Sequence, residues 1–480
     1  MNGSELSVAV RSTPAGAAAL GALGDAETAW TVGGALRDAA LGRKVVDLDL
    51  AVAGGEEEAV RAVARESGGA AFPLSESFGA WRATSPAGWH VDVSRLRSGS
   101  IEEDLALRDF TVNAMALPLT AVASGSDEAL VDPLGGRGDV EARRLRVTGT
   151  SAFEDDPLRL LRAARIAAGL GLQIDEATAA LARHNASRAR EAAGERQLAE
   201  LRLLLTGADP LRGLDLLDDL EVTPAVLPEL AGLRGVEQNP NHHLDVHGHT
   251  MQVLVRWLEV EADLVRYVGD NAGEVAALLA EPLADGLDRA GAMRFAALFH
   301  DVGKPATRDS SRGYVTFIGH DRVGAVIVED ICGRLRTSRR LASYLATITR
   351  NHLRLGFLVH QRPLARRAVY EYLRATDPDP IDVTLLTVAD RLSARGTGEV
   401  ASEEMVTAHL ELADEMVGHA LAWRREGAPR APIRGDELAR ELGIEPGPEL
   451  GRLIGEIEAA VYAGEVSDRA EAIALARSRL

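Results

Sequence analysis

The stretch from Val32 to Asp49 constrains this chain more than any other. Residues 45–52 alternate apolar and acidic side chains, the period of a strand with one buried face. Asp47 and Asp49 are two apart, so on a strand they point the same way. Two such carboxylates repel each other unless a cation lies between them. Mg²⁺ favours carboxylates combined with phosphate oxygens. Ahead of the strand, Gly33 and Gly34 stand at the start of a predicted helix, where backbone N–H groups can approach a phosphate closely. Arg37, followed by Asp38, falls in the first turns of that helix and suits a phosphate oxygen. Taken singly, the glycines also fit an ordinary tight turn, and the acids two solvated side chains on an edge strand.

The remaining chain sets the frame around this stretch. Its 480 residues suggest roughly three domains. Aromatics make up only 4%, so Leu, Val and Ala must fill the cores, which favours helices. The single cysteine, Cys332, excludes a disulfide framework and fits a reducing compartment. No signal peptide or membrane-spanning run is evident, and a cytoplasmic location without membrane contact is expected. The net charge of −19 argues against indiscriminate polyanion binding but not against a local basic stripe for RNA. Residues 91–93 form a second strand candidate. There Asp92 is either a third acid beside the pair or one exposed acid on a strand. Helical periodicity dominates from about residue 153 to 217, and again through the histidine-bearing segment 239–395.

In combination, Gly33-Gly34-Ala35-Leu36-Arg37-Asp38, Leu41-Gly42 and Asp47-Leu48-Asp49 resemble the opening motif of the class II tRNA nucleotidyltransferase and bacterial poly(A) polymerase family. Three further motifs follow in the family's order. Arg108-Asp109-Phe110-Thr111-Val112-Asn113 resembles the ribose- and phosphate-contacting motif. Asp132-Pro133-Leu134-Gly135-Gly136 resembles the turn towards the neck. Asp155-Asp156-Pro157-Leu158-Arg159-Leu160-Leu161-Arg162 resembles the helix that reads the incoming base. Asp156 and Arg159 are three apart, expected on one helical face, and their acceptors and donors match a Watson–Crick edge. An intrahelical salt bridge is the plainer use of that spacing.

The resemblance implies an α+β fold: a polymerase-β-like head with a mixed sheet over residues 1–138, then a helical neck (139–235), a helical HD domain (236–410) and a helical tail (411–480). It implies transfer of C, C and, in complete members, A from CTP and ATP to the 3′ end of tRNA. Asp47 and Asp49 would be the catalytic ligands of two Mg²⁺ ions. Gly33, Gly34, Arg37, Asp38, Arg108, Asp109, Asn113, Asp156, Arg159 and Arg162 would bind the nucleotide. The rivals are a poly(A) polymerase, whose branch carries a basic C-terminal extension, and a metal-dependent phosphohydrolase whose head only binds nucleotide.

Two departures bear on the product. Leu107 stands where the family usually has a first arginine before Arg108. Between Arg97 and Ile101 there are only Ser98, Gly99 and Ser100, where complete CCA-adding members carry a longer loop. That shortening is a trait of members adding only the two cytidines, so CC addition and full CCA addition both stand.

A second constellation lies downstream. His249, His300-Asp301 and Asp390, in that order, resemble the HD phosphohydrolase superfamily. Imidazole with carboxylate suits a divalent transition metal or Mg²⁺, and such a metal activates water for phosphoester hydrolysis. His320 and His352 are candidates for a second metal position, while His242, His243 and His247 lie close in sequence to His249. Some members of the family use such a domain as a 2′,3′-cyclic phosphodiesterase or phosphatase. A helical body that keeps its ligands without turnover is the plainer reading. In the tail, Arg424, Arg425, Arg430 and Arg434 either meet RNA phosphates or form a solvated face.

Overall fold

The computed structural model describes residues 3–75, 79–125, 130–398 and 401–480. The chain divides into two compact units, Met1–Val226 and Leu227–Leu480.

The first unit is built on a six-stranded sheet. Its strands are β1 (Ala29–Val32), β2 (Leu48–Val52), β3 (Ala70–Ser75), β4 (Ala80–Thr84), β5 (His90–Arg95) and β6 (Ala116–Pro118), in the spatial order β3-β4-β5-β2-β1-β6. The β2–β5 pair is parallel and the others are antiparallel, so the sheet is mixed. In β2, Leu48, Leu50, Ala51 and Val52 are buried while Asp49 opens outward. The alternation expected over 45–52 is therefore seen only across Leu48–Leu50, since Ala51 and Val52 are buried as well, and Asp47 sits in the bend just before the strand. Val32, Ala51, Ala114 and Ala116 pack with Ile101 and Leu105 of the Ile101–Ala106 helix to form part of the core.

The Glu56–Ser67 helix covers the sheet with its apolar side, Ala59, Val60, Val63 and Ala64. Three glutamates fill its first turn and Arg65 its last, complementing the helix dipole. Beyond the sheet the first unit turns helical, with Arg159–Leu170 packing on Gly194–Leu205 and Pro210–Asp219.

The motif around Asp156 departs from the expected single helix. A short helix ends at Asp155, Asp156 is extended at φ −148° and ψ 99°, and the next helix starts at Arg159. Pro157 lacks an N–H, and Asp156 takes up the exposed N–H of Leu158 (3.2 Å). Asp156 and Arg159 are thus not neighbours on one helix face.

The second unit is helical apart from a small two-stranded sheet. Val246–Ala262, Arg289–Phe299, Arg339–Asn351 and Pro380–Ser393 pack on one another, and His320–Arg334 lies along Arg339–Asn351. Trp257, Phe295 and Phe299 are among their largest buried side chains. Asp245, Asp288 and Ser338 cap three of these helices by accepting N–H groups of the first turn, which satisfies donors that would otherwise go unpaired. Three tail helices, Gly435–Leu442, Pro448–Ala463 and Arg469–Ser478, share a core of Leu438, Leu453, Ile457 and Ala472. Arg424 pairs with Glu281, Arg425 with Glu274 and Arg434 with Asp436, so these three tail arginines answer neighbouring acids. Among the described residues, no helix is long and apolar enough to cross a membrane.

Candidate functional site

In the first unit, pairing between strands brings the acids together. Asp49 of β2 stands in register with Asp92 of β5 on one side and Val32 of β1 on the other. Gly33 follows Val32 at φ +74°, and a Cβ there would stand 3.0 Å from Asp49 Oδ2 and 3.3 Å from Arg108 Nη1. Only glycine meets both demands without strain. Asp49 remains reachable at the mouth of the cleft, yet dense protein around it and the neighbouring Asp92 raise its pKa, against the pull of Arg108, His90 and Arg37. Two carboxylates whose charges cost this much side by side are what a cation relieves.

Asp92 is already braced. Arg82 of β4 grips both its oxygens, at 2.7 and 2.8 Å. Asp47 is oriented by His90, whose backbone N–H donates to Oδ1 at 2.9 Å and whose ring Nδ1 lies 2.9 Å from the same atom. Arg37 donates to Asn113 Oδ1 (2.7 Å) and to Asp38 Oδ1 (2.8 and 2.9 Å), which aligns its guanidinium beside Gly34.

Asp109 is a hub. Its Oδ1 accepts from the N–H of Phe110 (2.8 Å) and from Asn113 Nδ2 (3.0 Å), and its Oδ2 from Arg162 (2.7 and 2.9 Å). Burial pushes its carboxyl up, but Arg162 and Asn113 hold it below the usual range. Both oxygens of Asp109 are thus engaged within the protein, tying Asn113 and Arg162 to one carboxylate. Glu200, buried, takes the other side of Arg162 and also binds Arg165.

Arg97, Arg108, Asp109, Asp156, Arg159, Arg162 and Arg196 line a cavity of about 230 Å³. Although not on one helix face, Asp156 and Arg159 meet there. Arg159 donates to the carbonyls of Leu107 (2.7 Å) and Ala152 (3.3 Å). Leu107 thus contributes a backbone acceptor where an arginine was expected, and Arg97 and Arg196 are additional cations in the cavity wall. Arg196, which sequence reasoning missed, reaches across from the Gly194–Leu205 helix to both oxygens of Asp156, at 2.8 and 3.3 Å. The short segment 98–100 is pinned: Ser100 Oγ accepts the N–H of Glu103, the Gly99 N–H donates to Glu103 Oε2, and the Arg97 N–H donates to Asp104. Ser100 is thus the N-cap of the Ile101–Ala106 helix, and Glu103 answers at the residue before it, next to the cavity-lining Arg97.

In the second unit, four helix ends and one helix body converge. His249 lies in the first turns of Val246–Ala262, His300 and Asp301 follow Arg289–Phe299, His320 opens its helix, His352 follows Arg339–Asn351, and Asp390 lies within Pro380–Ser393. His300, His320 and His352 share one device. Each ring Nδ1 bonds a backbone carbonyl three residues back, Ala297, Phe317 and Thr349, at 2.6–2.8 Å. That fixes the tautomer and turns the Nε2 lone pair inward.

Asp301 sits at the centre, with His300 Nε2 at 3.1 Å, His320 Nε2 at 3.3 Å and His249 Nε2 at 3.6 Å; Asp390 Oδ1 lies 3.0 Å from His249 Nε2. Gly303 permits this closeness, since a Cβ there would overlap the carbonyl of His320. Both nitrogens of His249, Nε2 of His300 and both oxygens of Asp301 are buried without a hydrogen bond of good geometry. Lys304 Nζ answers Asp301 Oδ2 at 2.6 Å; so many buried imidazoles and carboxylates with so few well-formed hydrogen bonds fit a divalent cation, and His249-His300-Asp301 and Asp301-His320-His352 each gather ligand atoms within 4.8 Å of one another. Burial lowers the pKa of His249, keeping it a neutral ligand. His242 packs edge-on against His249, ring centroids 4.5 Å apart. His243 is exposed, and His247 is buried outside both ligand groups.

Known proteins share this plan. A model of the poly(A) polymerase head domain matches residues 29–146, one of the probable RNA- and SrmB-binding site of polymerase A matches 171–233, and an HD domain model matches 273–395. The chain is 35% identical to an A-adding tRNA nucleotidyltransferase of Deinococcus radiodurans, over 92% of its length and 93% of that protein. It is 33% identical to a CC-adding tRNA nucleotidyltransferase of Thermus thermophilus, over 92% of both. A Thermotoga maritima CCA-adding enzyme complexed with tRNA has the same fold, with a TM-score of 0.58 at 21% identity, covering 100% of this chain and 98% of that one. The mixed-sheet head, the helical second unit and this extent of identity establish that the chain belongs to the tRNA nucleotidyltransferase family.

Proposed function

We propose that the first unit transfers cytidine nucleotides from CTP to the 3′ end of tRNA in the cytoplasm. The observation that carries this is the meeting of Asp49, Asp92 and Gly33 on three neighbouring strands, with Asp47 held by His90 in the bend just before β2. Asp47 and Asp49 would hold two Mg²⁺ ions, which, when bound, acidify the tRNA 3′ hydroxyl and stabilise the departing pyrophosphate. Gly33 and Gly34 leave room for the triphosphate, and Arg37, steadied by Asp38 and Asn113, binds its oxygens. The 3′ oxygen attacks the α-phosphorus, its proton leaves, and the bond to pyrophosphate breaks. Arg108 neutralises phosphate charge, while Asp109 holds Asn113 and Arg162 in place. Asp156 and Arg159 read the base. We take residues 1–138 as the transferase head, 139–235 as the neck, 236–410 as the HD domain and 411–480 as the tail.

The segment 98–100 supports a product of two cytidines, because three residues tied to the following helix through Glu103 leave little length to reshape the pocket for a second base. A-only addition is the second reading, favoured by the name of the Deinococcus radiodurans relative. Extension of tRNAs ending before CCA and after CC, with CTP, ATP or both, resolved to single nucleotides, separates them. Two added cytidines and no adenosine are expected. Adenosine added only to the CC-ended tRNA supports the second reading, and C, C and A added in turn support full CCA addition.

In the second unit, His249, His300, Asp301 and Asp390 would hold a divalent transition metal, since imidazoles favour such ions over Mg²⁺. When bound, the metal supplies an activated water for phosphoester hydrolysis.

A further inference from the structure

The corner between the His320–Arg334 and Arg339–Asn351 helices reads Arg334-Leu335-Arg336-Thr337-Ser338-Arg339-Arg340. In a chain of net charge −19, this is a concentrated run of cations. Arg334 is taken up by Glu229 at 2.6 Å. Arg336, Arg339 and Arg340 are exposed, and among the described residues no hydrogen bond or ion pair answers their guanidiniums. The acid at this corner, Asp285, accepts from the N–H and Oγ of Ser338 at 2.8–3.2 Å and pairs with none of the three.

Each of the three stands where the local backbone disfavours it. Arg336 closes its helix at φ +57°, and the following N–H, of Thr337, reaches back to the Cys332 carbonyl at 3.0 Å. Glycine usually fills that left-handed position. It does so after other helices of this chain, at Gly68, Gly171, Gly443 and Gly464. Arg143, also at positive φ, at least gains the Leu170 carbonyl at 3.3 Å; Arg336 gains no such partner. Arg339 and Arg340 open the next helix, where the dipole favours acids, and no acid stands in that turn. The Glu56–Ser67 and Glu403–Glu426 helices show the ordinary choice, with glutamates in the first turn. Three cations set against the energetics of their own fold point to a partner outside it.

We propose that Arg336, Arg339 and Arg340 form a docking surface for the phosphate backbone of tRNA. The proposal rests on the reading of tRNA as the substrate and adds a contact in the second unit, outside both candidate sites. Guanidinium forks match phosphate oxygens. The positive end of the Arg339–Asn351 helix repels the arginines in the free protein but attracts a phosphate laid across them. Such contacts fix the position of an RNA without reading its sequence, so they serve tRNAs of any sequence alike.

The test uses the full-length chain and substitutions that remove charge while suiting the backbone better: Arg336→Gly, Arg339→Glu and Arg340→Glu, singly and together. Binding of tRNA is measured by fluorescence anisotropy over a range of salt concentrations. The triple variant should bind roughly tenfold to a hundredfold more weakly at low salt, and its log–log salt slope should be shallower by about 2–3. In tRNA extension, KM for tRNA should rise while kcat stays. The calorimetric transition of the second unit should rise by about 2–4 °C, since positive φ and the helix dipole no longer oppose the side chains. Arg339→Lys with Arg340→Lys should keep most of the affinity. Extension in the parent chain with affinity and salt slope unchanged in the triple variant overturns the docking surface and leaves the substrate reading standing. Weaker binding together with a lower transition also overturns it, because the arginines would then serve the fold. A parent chain that neither binds nor extends tRNA overturns the substrate reading and the docking surface with it.

Discussion

The two sites of this molecule meet the same problem, charged ligands held close together, with opposite solutions. In the first unit the acids lie at strand ends, open to solvent at the mouth, and each is braced by its own partner: Asp92 by Arg82, Asp47 by His90. In the second unit the candidate ligands come from five helices, all but Asp390 are buried, and the imidazoles of His300, His320 and His352 are locked by backbone carbonyls. An open site of carboxylates suits ions that arrive and leave with each triphosphate. A buried site of imidazoles suits ions that stay.

That contrast can be broken experimentally. The largest effect is expected from Asp49→Asn, which should lower tRNA extension by at least about 10²–10³, in the range seen when preorganised charge at a reacting centre is removed. Phosphoester hydrolysis by the same variant should be unchanged. Asp301→Asn should give the mirror image, with hydrolysis lost and extension intact. Loss of both activities in either variant would show that the sites do not act separately.

Gly33→Ala comes next. Its positive φ costs an alanine roughly 1–2 kcal/mol, and the new methyl would press on Asp49 and Arg108. Extension kcat/KM should fall by about tenfold to a hundredfold. The far-ultraviolet circular dichroism should stay as in the parent chain. Unimpaired extension would mean that the approach of Gly33 to Asp49 is not used.

Removing resident metal sharpens the comparison from the side of stability. Ions that bind only the folded second unit, at a hundred times their Kd, stabilise it by about 2.7 kcal/mol. For a unit of this size, dialysis against a chelator should lower the calorimetric transition of the second unit by roughly 5–10 °C. The transition of the first unit should stay put. Equal shifts in both would contradict the division into exchanging and resident ions.

The smallest effect is expected from Arg196→Ala. Asp156 would lose its bidentate partner, and misincorporation of U or G should rise by about tenfold relative to C, measured as the ratio of kcat/KM values. Arg196→Lys should restore only part of the discrimination, since an ammonium cannot match the planar fork of a guanidinium. Unchanged ratios would reduce Arg196 to a structural salt bridge.

What the sequence made legible, and what it did not, follows one physical rule. Gly33, Arg37, Asp47 and Asp49 are near one another in the chain, so local spacing suffices to place them together. Asp92 was ambiguous because its meaning depends on strand register: only the pairing of β2 with β5 sets it beside Asp49. Arg82 was invisible for the same reason, since it meets Asp92 through the pairing of β4 with β5, and Arg196 and Glu200 because each meets a partner far along the chain through packing that no periodicity records. Asp156 and Arg159 were expected on one helix face, but Pro157 interrupts the helix between them, and they share only the cavity wall. The tail arginines looked available for phosphates until the fold brought Glu281 and Glu274 to them. In the second unit the histidines were legible as a group, but which ones face Asp301 depends on where the helices end.

The Arg196–Asp156 pair has one more consequence. On the proposed reading of Asp156 as a base-contacting residue, an incoming base does not meet an empty template; it meets an incumbent. To engage Asp156 it must outbid a guanidinium that already donates two hydrogen bonds. Cytosine and adenine carry an exocyclic amine and can make a counter-offer. Uracil and guanine place a carbonyl where those amines stand and must offer a ring N–H instead, in a different position. Selectivity then lies in a threshold set by the protein's own side chain, crossed or not crossed before any bond to phosphorus is at stake.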